Sequence, residues 1–466
     1  MSKTIISLTV SLLLSACAIG PDYQRPPVDV PEQWSMASPD TSEVQRVADK
    51  WWENFNDPVL NRMVEEALVN NQDINIAIAQ LDDAAAQARL ARTALLPQLN
   101  GAASGQRGRS SSETSTGNLG EVYTAQAALS WEIDLWGKLR RSNEEARAQY
   151  LGTAYNRDAV RLLIAAQVAQ TYFQMRALDA SLEVTRNTQT TREESLSTQE
   201  KRFKYGMVSM LEVSQAQSEL ATAKINAASQ ALSLKTTENA LSVLLGRSPR
   251  AFLEAHERGQ TLSQMTHVTQ IPAGIPSDVL TRRPDVASAE QALVAANARI
   301  GVARAAYFPS ISLTGNLGSQ SLSLSNLFTG PAATWSFVGN LAAPIFNFGA
   351  TQANVNSANA KQRQALAQYE KSIQNAFKET LDGFASVEST RQQEVAALEQ
   401  VHATNEALRL ANLRYDNGYS SNLERLDAQR SAYQTQLSLI SIRLARLNAS
   451  VDLYKALGGG WTLPTP

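Results

Sequence analysis

Apolar residues recur along this chain with two different periods. Between Asn422 and Leu457, the residues Leu423, Leu426, Arg430, Tyr433, Leu437, Ile440, Leu444, Leu447, Val451 and Tyr454 are spaced alternately by three and four. That spacing is the heptad seam of a helix packed against another helix, and Arg430 is its one break. Gly349 to Tyr415 reads as a second long helix, with Leu366, Tyr369, Ile373, Phe377, Leu381, Phe384 and Val387 on its packing side. Lys138–Phe203 and Met210–Leu245 read as two more, richer in Ala and Ser, and no proline interrupts the long stretches. At about 1.5 Å per residue a helix of roughly 65 residues is about 100 Å long, a dimension of extended bundles rather than compact enzymes.

Between the helices the period falls to two. Tyr123, Ala125, Ala127, Leu129, Trp131, Ile133 and Leu135 alternate with mostly polar neighbours, as do Trp335, Phe337, Gly339, Leu341, Ala343 and Ile345. Ile311, Leu313, Gly315 and Leu317 repeat the pattern, and Leu99–Gly105 is a weaker fourth case. Strands of about 10 to 13 residues, apolar on one face and aromatic near the ends, match transmembrane β-barrel segments. The Ser/Gly-rich stretches 108–120 and 318–330 are expected to be the loops joining each strand pair. Four strands cannot close a barrel and lipid does not tolerate an open edge. The smallest bacterial barrels have about 8 strands, so several copies must share a wall; 8, 12 and 16 strands all remain open at this point.

The elements also repeat. Asp73 and Asp285, Pro97 and Pro309, Gly137 and Gly349, Gly206 and Gly418, and Leu245-Gly246 and Leu457-Gly458 are all separated by 212 residues. Leu68–Gly246 and Leu280–Gly458 are therefore read as two copies of one unit. The Pro-rich segment before the first copy and the bridge between the copies read as surface-running connectors.

Composition removes several alternatives. With 42 Lys+Arg against 44 Asp+Glu, no charge argument points to nucleic acid. One Cys and three scattered His exclude a disulfide framework and a His/Cys metal cluster. No nucleophile elbow, zincin motif, P-loop or dinucleotide fingerprint occurs, so an enzyme is not expected. No apolar run approaches the roughly 18 residues of a membrane helix. The start is different in kind: Lys3 precedes an apolar stretch of ten residues, Ile5 to Leu14, with the pattern of a secretory signal. It ends in Leu14-Ser15-Ala16-Cys17, which resembles a bacterial lipobox. Residues 1–16 are then a removed signal, and Cys17 carries a covalent N-acyl diacylglycerol lipid; no other cofactor and no metal is expected. Ala18, not Asp, follows the cysteine, which favours the outer membrane.

Trp131-Glu132-Ile133-Asp134-Leu135-Trp136-Gly137, Leu280-Thr281-Arg282-Arg283-Pro284-Asp285, Ala305-Ala306-Tyr307-Phe308-Pro309 and Leu453-Tyr454-Lys455-Ala456-Leu457-Gly458-Gly459-Gly460-Trp461, with Cys17 to Tyr23, carry a family likeness. The chain resembles the TolC-like outer-membrane efflux channels, in their OprM-type lipoprotein branch. The resemblance implies an α+β membrane protein: a homotrimer with a shared 12-stranded transmembrane β-barrel, four strands per chain, continuous with a long periplasmic α-helical barrel. The expected division is a signal (1–16), a lipidated connector (17–67), a first repeat (68–246), a connector forming an equatorial belt (247–279), a second repeat (280–458) and a tail (459–466). The implied role is the exit duct of a tripartite multidrug pump, joined to a periplasmic adaptor and an inner-membrane transporter of the resistance-nodulation-division type, with drugs, dyes or detergents as cargo.

The same resemblance places Tyr415, Leu423, Glu424, Asp427 and Arg430 at the periplasmic gate. Asp427 and Arg430, three apart on one helix face, can pair, and Asp427 would form a ring of three carboxylates under three-fold symmetry. Ser420 departs from relatives that carry a basic residue there. Gly206 and Gly418 are expected to end the long helices, and Ser209 and Ser421 to cap the returning ones; these turns would be the tip on which an adaptor docks. The competing readings are the outer-membrane component of another export system, a non-conducting coiled-coil lipoprotein scaffold, and a secreted enzyme.

Overall fold

The 212-residue offset governs the order of elements. A computed structural model describes residues 18–29, 49–109, 119–253, 256–265 and 282–461. The signal, Cys17, parts of both connectors, the 110–118 part of the first strand loop and the end of the tail lie outside these residues. The first half contains α1 (Pro58–Asn70), α2 (Gln72–Thr93), β1 (Gln98–Arg109), β2 (Leu119–Ile133), α3 (Lys138–Lys204) and α4 (Met210–Leu244). The second half contains α5 (Pro284–Ala305), β3 (Ser310–Ser321), β4 (Ala333–Ala342), α6 (Ala350–Asp416) and α7 (Asn422–Ala456). The bounds of α5, β3, α6 and α7 are those of α2, β1, α3 and α4 moved by 212. No helix of the described residues is long and apolar enough to cross a membrane.

The chain divides into two compact units, each drawing on both halves. One comprises residues 1–27, 80–154 and 288–371 and holds the sheet, whose order is β1-β2-β3-β4, antiparallel throughout. Residues directly opposite one another share a face, so the register decides whether the four alternations agree. They do: Leu99 faces Leu129, Ala127 faces Leu317, Trp131 faces Leu313, and Leu317 faces Trp335. Every odd-numbered apolar residue lands on one side. The other side carries the row Asn100, Ala128, Asn316, Ser336 and the row Ser104, Thr124, Gln320. Among the described residues the apolar face is uncovered, Trp335 being 80% exposed, and β1 and β4 each have a free edge.

The strand ends differ from the sequence pattern: β4 stops at Ala342, short of Ala343 and Ile345, and β1 and β2 take up both ends of the 108–120 stretch. The alternation runs past Ile133, but Asp134 accepts the backbone N–H groups of Leu139 and Arg140 (3.1 and 2.9 Å) and begins α3 instead. Trp136 then donates to the Pro309 carbonyl (2.7 Å) and stacks on Phe308. The stretch 318–330 is not all loop, because β3 continues to Ser321. Gly318 lies within the strand, where a Cβ would run into the Ala125 carbonyl oxygen; this glycine permits a close backbone approach rather than a turn. Beside the sheet, residues 18–25 are laced to the same unit. Ile19 donates to the Trp136 carbonyl, Asp22 pairs with Arg141 (2.6 Å), and Tyr23 and Arg25 both bind Glu290.

The other unit, residues 28–79, 155–287 and 372–466, holds the main apolar core. The described residues of both connectors contribute to that core, through Trp51, Trp52 and Phe55 and through Leu262 and Met265, rather than running over the surface. Trp51 is fully buried and stacks on Tyr454 (5.5 Å between centroids), and Phe55 packs edge-on against Phe173. Asp57 caps α1 through Val59 and Leu60, and also accepts from the Tyr172 hydroxyl (2.7 Å) and the Gln260 N–H (3.0 Å). Burial, with that hydrogen bond to Asp57, pushes the Tyr172 phenol well above its ordinary value.

His256, on the second connector, is buried against the end of α4. Its Nε2 donates to the Glu238 carbonyl (2.9 Å), and its Nδ1 accepts from Arg247, which also forks onto Glu66. Burial, helped by the Arg247 charge, holds the imidazole below the ordinary histidine value of 6.5. The unfolded chain therefore binds more protons below that value than the folded one, so stability is present above it and lost as pH falls through it. The melting temperature of the purified protein should fall between about pH 7.5 and about pH 5.5. His256→Gln should show a smaller fall over the same interval; an unchanged pH profile in that variant would remove His256 as the cause.

Candidate functional site

The turns joining α3 to α4 and α6 to α7 are built alike. Gly206 and Gly418 adopt positive φ (71° and 76°), and the following residues close the same helix-ending pattern. Met207 donates to the Arg202 carbonyl (2.9 Å) and Tyr419 to the Arg414 carbonyl (2.8 Å). A Cβ on either glycine would meet nothing within 4 Å, so φ, not space, requires glycine there. Ser209 donates its backbone N–H (2.5 Å) and its Oγ–H (2.9 Å) to the Glu212 carboxylate at the start of α4, and Ser421 Oγ accepts from Glu424 N (3.4 Å) on α7. Tyr205, Met207, Leu211, Tyr419 and Leu423 are all exposed around these turns.

The five expected gate residues fall into separate groups. Glu424 pairs with Arg414 (2.9 Å), and Leu423 is solvent-facing. Tyr415 receives hydrogen bonds on its hydroxyl from Gln199 (2.9 Å) and Arg202 (2.8 Å), and the Arg425 guanidinium covers its ring at 4.1 Å. Asp427 and Arg430 do pair, at 3.0 Å. The shorter contact of Arg430, however, is to Glu219 on α4 at 2.6 Å, and Glu219 also binds Arg192 of α3 at 3.0 Å. Arg192 further donates to the Glu219 carbonyl (2.7 Å). Hydrogen bonding to Glu219 is the main cause that raises the Arg430 pKa.

Glu219 is the residue that the sequence pattern did not bring forward. A signal was present: it is the only carboxylate between Glu212 and Glu238, and it lies beside the spaced apolar series Val213, Ala216, Leu220, Ala223. The series is buried, and Glu219 is buried with it. The break at Arg430 also has a different meaning from the one expected. The buried stripe of α7 runs through Leu426, Ala432, Thr435 and Leu439, where small side chains admit α6 closely enough for Thr404 and Thr435 hydroxyls to meet at 2.9 Å. Arg430 stands beside this stripe, half exposed. Among the described residues no group of His, Cys, Asp or Glu could hold a metal.

The chain belongs to the outer membrane efflux protein family, which it matches over residues 63–247 and again over 275–459. The second match is the first displaced by 212 residues. It is 38% identical to the probable efflux pump outer membrane protein TtgC of Pseudomonas putida, over 99% of this chain and 96% of that protein. It is 36% identical to the cation efflux system protein CusC of Escherichia coli, over 98% of each. Its fold superposes on the CmeC outer membrane channel of Campylobacter jejuni with a TM-score of 0.90, at 28% identity and 96% coverage of both chains.

The Glu219 network yields an ordering of variants. Glu219→Ala leaves the Arg192 guanidinium, 7% exposed, without its carboxylate and is expected to cost about 3–5 kcal/mol. Asp427→Ala removes a solvent-facing pair and is expected to cost about 0–1 kcal/mol. Thermal unfolding of the detergent-solubilised protein checks the order; equal effects would show that Glu219 is not the centre of the network.

Proposed function

We propose that three copies of this chain form an outer-membrane exit duct for a tripartite efflux pump. The observation that carries this reading is the sheet: four registered strands with one apolar face, one polar face and two free edges. In lipid the edge N–H and C=O groups require partners, and pairing β1 of one copy with β4 of the next satisfies them. Three copies give the 12 strands that the family resemblance implies. The apolar faces meet lipid, and the polar faces line water. The two 67-residue helices of each copy, α3 and α6, continue the wall into the periplasm with α4 and α7.

Cys17 carries the N-acyl diacylglycerol anchor, and the segment 18–25 that follows it in sequence is laced to the unit that holds the sheet. The exposed rim about Gly206, Ser209, Gly418 and Ser421 receives the periplasmic adaptor, which links the duct to an inner-membrane transporter of the resistance-nodulation-division type. Leu423 and the three Asp427 carboxylates narrow the periplasmic end, and Arg430 holds the closed arrangement through Asp427 and Glu219. Catalysis has no part in this role: the pump supplies energy and selects cargo, and the duct conducts. The cargo class is drugs, dyes and detergents; the name of the CusC relative is the observation that favours cations instead.

A deletion strain should lose resistance to bile salts, dyes and antibiotics, and regain it on complementation. Unchanged resistance to these with new sensitivity to metal-cation salts would assign the duct to cation export. In planar bilayers, Asp427→Ala combined with Arg430→Ala should raise single-channel conductance well above the closed level of the unmodified channel. Conductance that stays at the closed level would refute the gate assignment.

A further inference from the structure

Near the α6–α7 turn lies a group of positive and neutral donors, several of which lack a partner among the described residues. Tyr415 accepts from Gln199 and Arg202, and its ring lies under the guanidinium of Arg425. One nitrogen of Arg425, Nη2, donates to Asn422 Oδ1 (2.8 Å) and Ser195 Oγ (3.0 Å). Neither Arg202 nor Arg425 forms an ion pair with a carboxylate among the described residues; Asp416 is the acidic group whose field reaches Arg425. Three donors in this group are buried with no hydrogen-bond partner: Arg425 Nε, Asn422 Nδ2 and Ser420 Oγ. Asn422 is only 7% exposed, and its Oδ1 is already held by Arg425, so its amide nitrogen is the end left without a partner. Gln199 Oε1 is the one partnerless acceptor nearby.

Buried donors are ordinarily satisfied, and two guanidinium groups about one phenol ring repel each other unless a negative charge stands near them. Burial, with the charge of Arg202 adding to it, lowers the Arg425 pKa, so the field of Asp416 does not make up for the desolvation of this cation. The N-terminus of α7, which begins at Asn422, adds its positive dipole end to the same place.

We infer that each protomer binds one small inorganic anion of halide size among Arg425 Nε, Asn422 Nδ2 and Ser420 Oγ. The anion neutralises the arginine pair and fastens the start of α7 to Tyr415, so halide concentration sets how firmly the turn is held. This site stands apart from the conduit reading, since neither export nor conductance enters its test.

The intact protein is crystallised with bromide, and the anomalous signal is measured at the bromine edge. The expected result is one peak per protomer within hydrogen-bonding distance of Arg425 Nε and Asn422 Nδ2. In solution, replacing gluconate by chloride at constant ionic strength should raise the melting temperature. Asn422→Leu, or Ser420→Ala where the first variant does not assemble, should lose most of that rise and the bromide peak. A water molecule or a carboxylate of a neighbouring copy in the site would overturn the inference. So would a bromide peak that persists unchanged in both variants, which would mark an adventitious ion only.

Discussion

The hydrogen-bonding edges of β1 and β4 are the constraint on which the rest depends. A four-stranded sheet in water can leave its edges to the solvent, but in hydrocarbon each unpaired N–H and C=O costs several kcal/mol. The register makes this unavoidable, because it gathers Leu99, Leu129, Trp131, Leu317, Trp335 and Phe337 on one face. That face belongs in lipid, and the edges go with it. Oligomerisation is thus a condition of the sheet's existence in the membrane. The duplication follows the same logic, since each half supplies one hairpin to the sheet and one pair of long helices.

Charge placement divides the helical part between holding and yielding. Arg192 and Glu219 are both buried, so their pair is lost only at substantial cost. Asp427 and the outer half of Arg430 are solvent-facing, where a pair is worth little and is screened by salt. The result is a firm joint between α3 and α4 and a weak pair within α7, with Glu219 also holding Arg430.

Periodicity made most of this legible in the sequence. The long helices match the read segments to within a residue or two, because no proline and few glycines compete with their spacing. The strands were readable because the odd positions alternate, and the 212-residue offset showed that Gly206 and Gly418 had to be equivalent turns. What was not legible involved partners brought together from distant segments. Glu219 lies 27 residues from Arg192 and 211 from Arg430, and its meaning comes only from their convergence. Trp51 sat in a Pro-rich segment without any period, and it became core through Tyr454, 403 positions later. Gly318 looked like a loop residue because composition alone does not distinguish a turn from a crowded strand pair.

The central claim is that the free edge of β1 in one copy pairs with the free edge of β4 in the next. It is tested most directly by disulfide cross-linking in outer-membrane fractions, with one cysteine at Ser104 on β1 and the other at Thr334, Ser336 or Val338 on β4. These positions all lie on the polar face. At least one pair is expected to give a covalent trimer on denaturing gels, and neither single substitution does. Monomers from every pair, or a ladder extending beyond three chains, would contradict it.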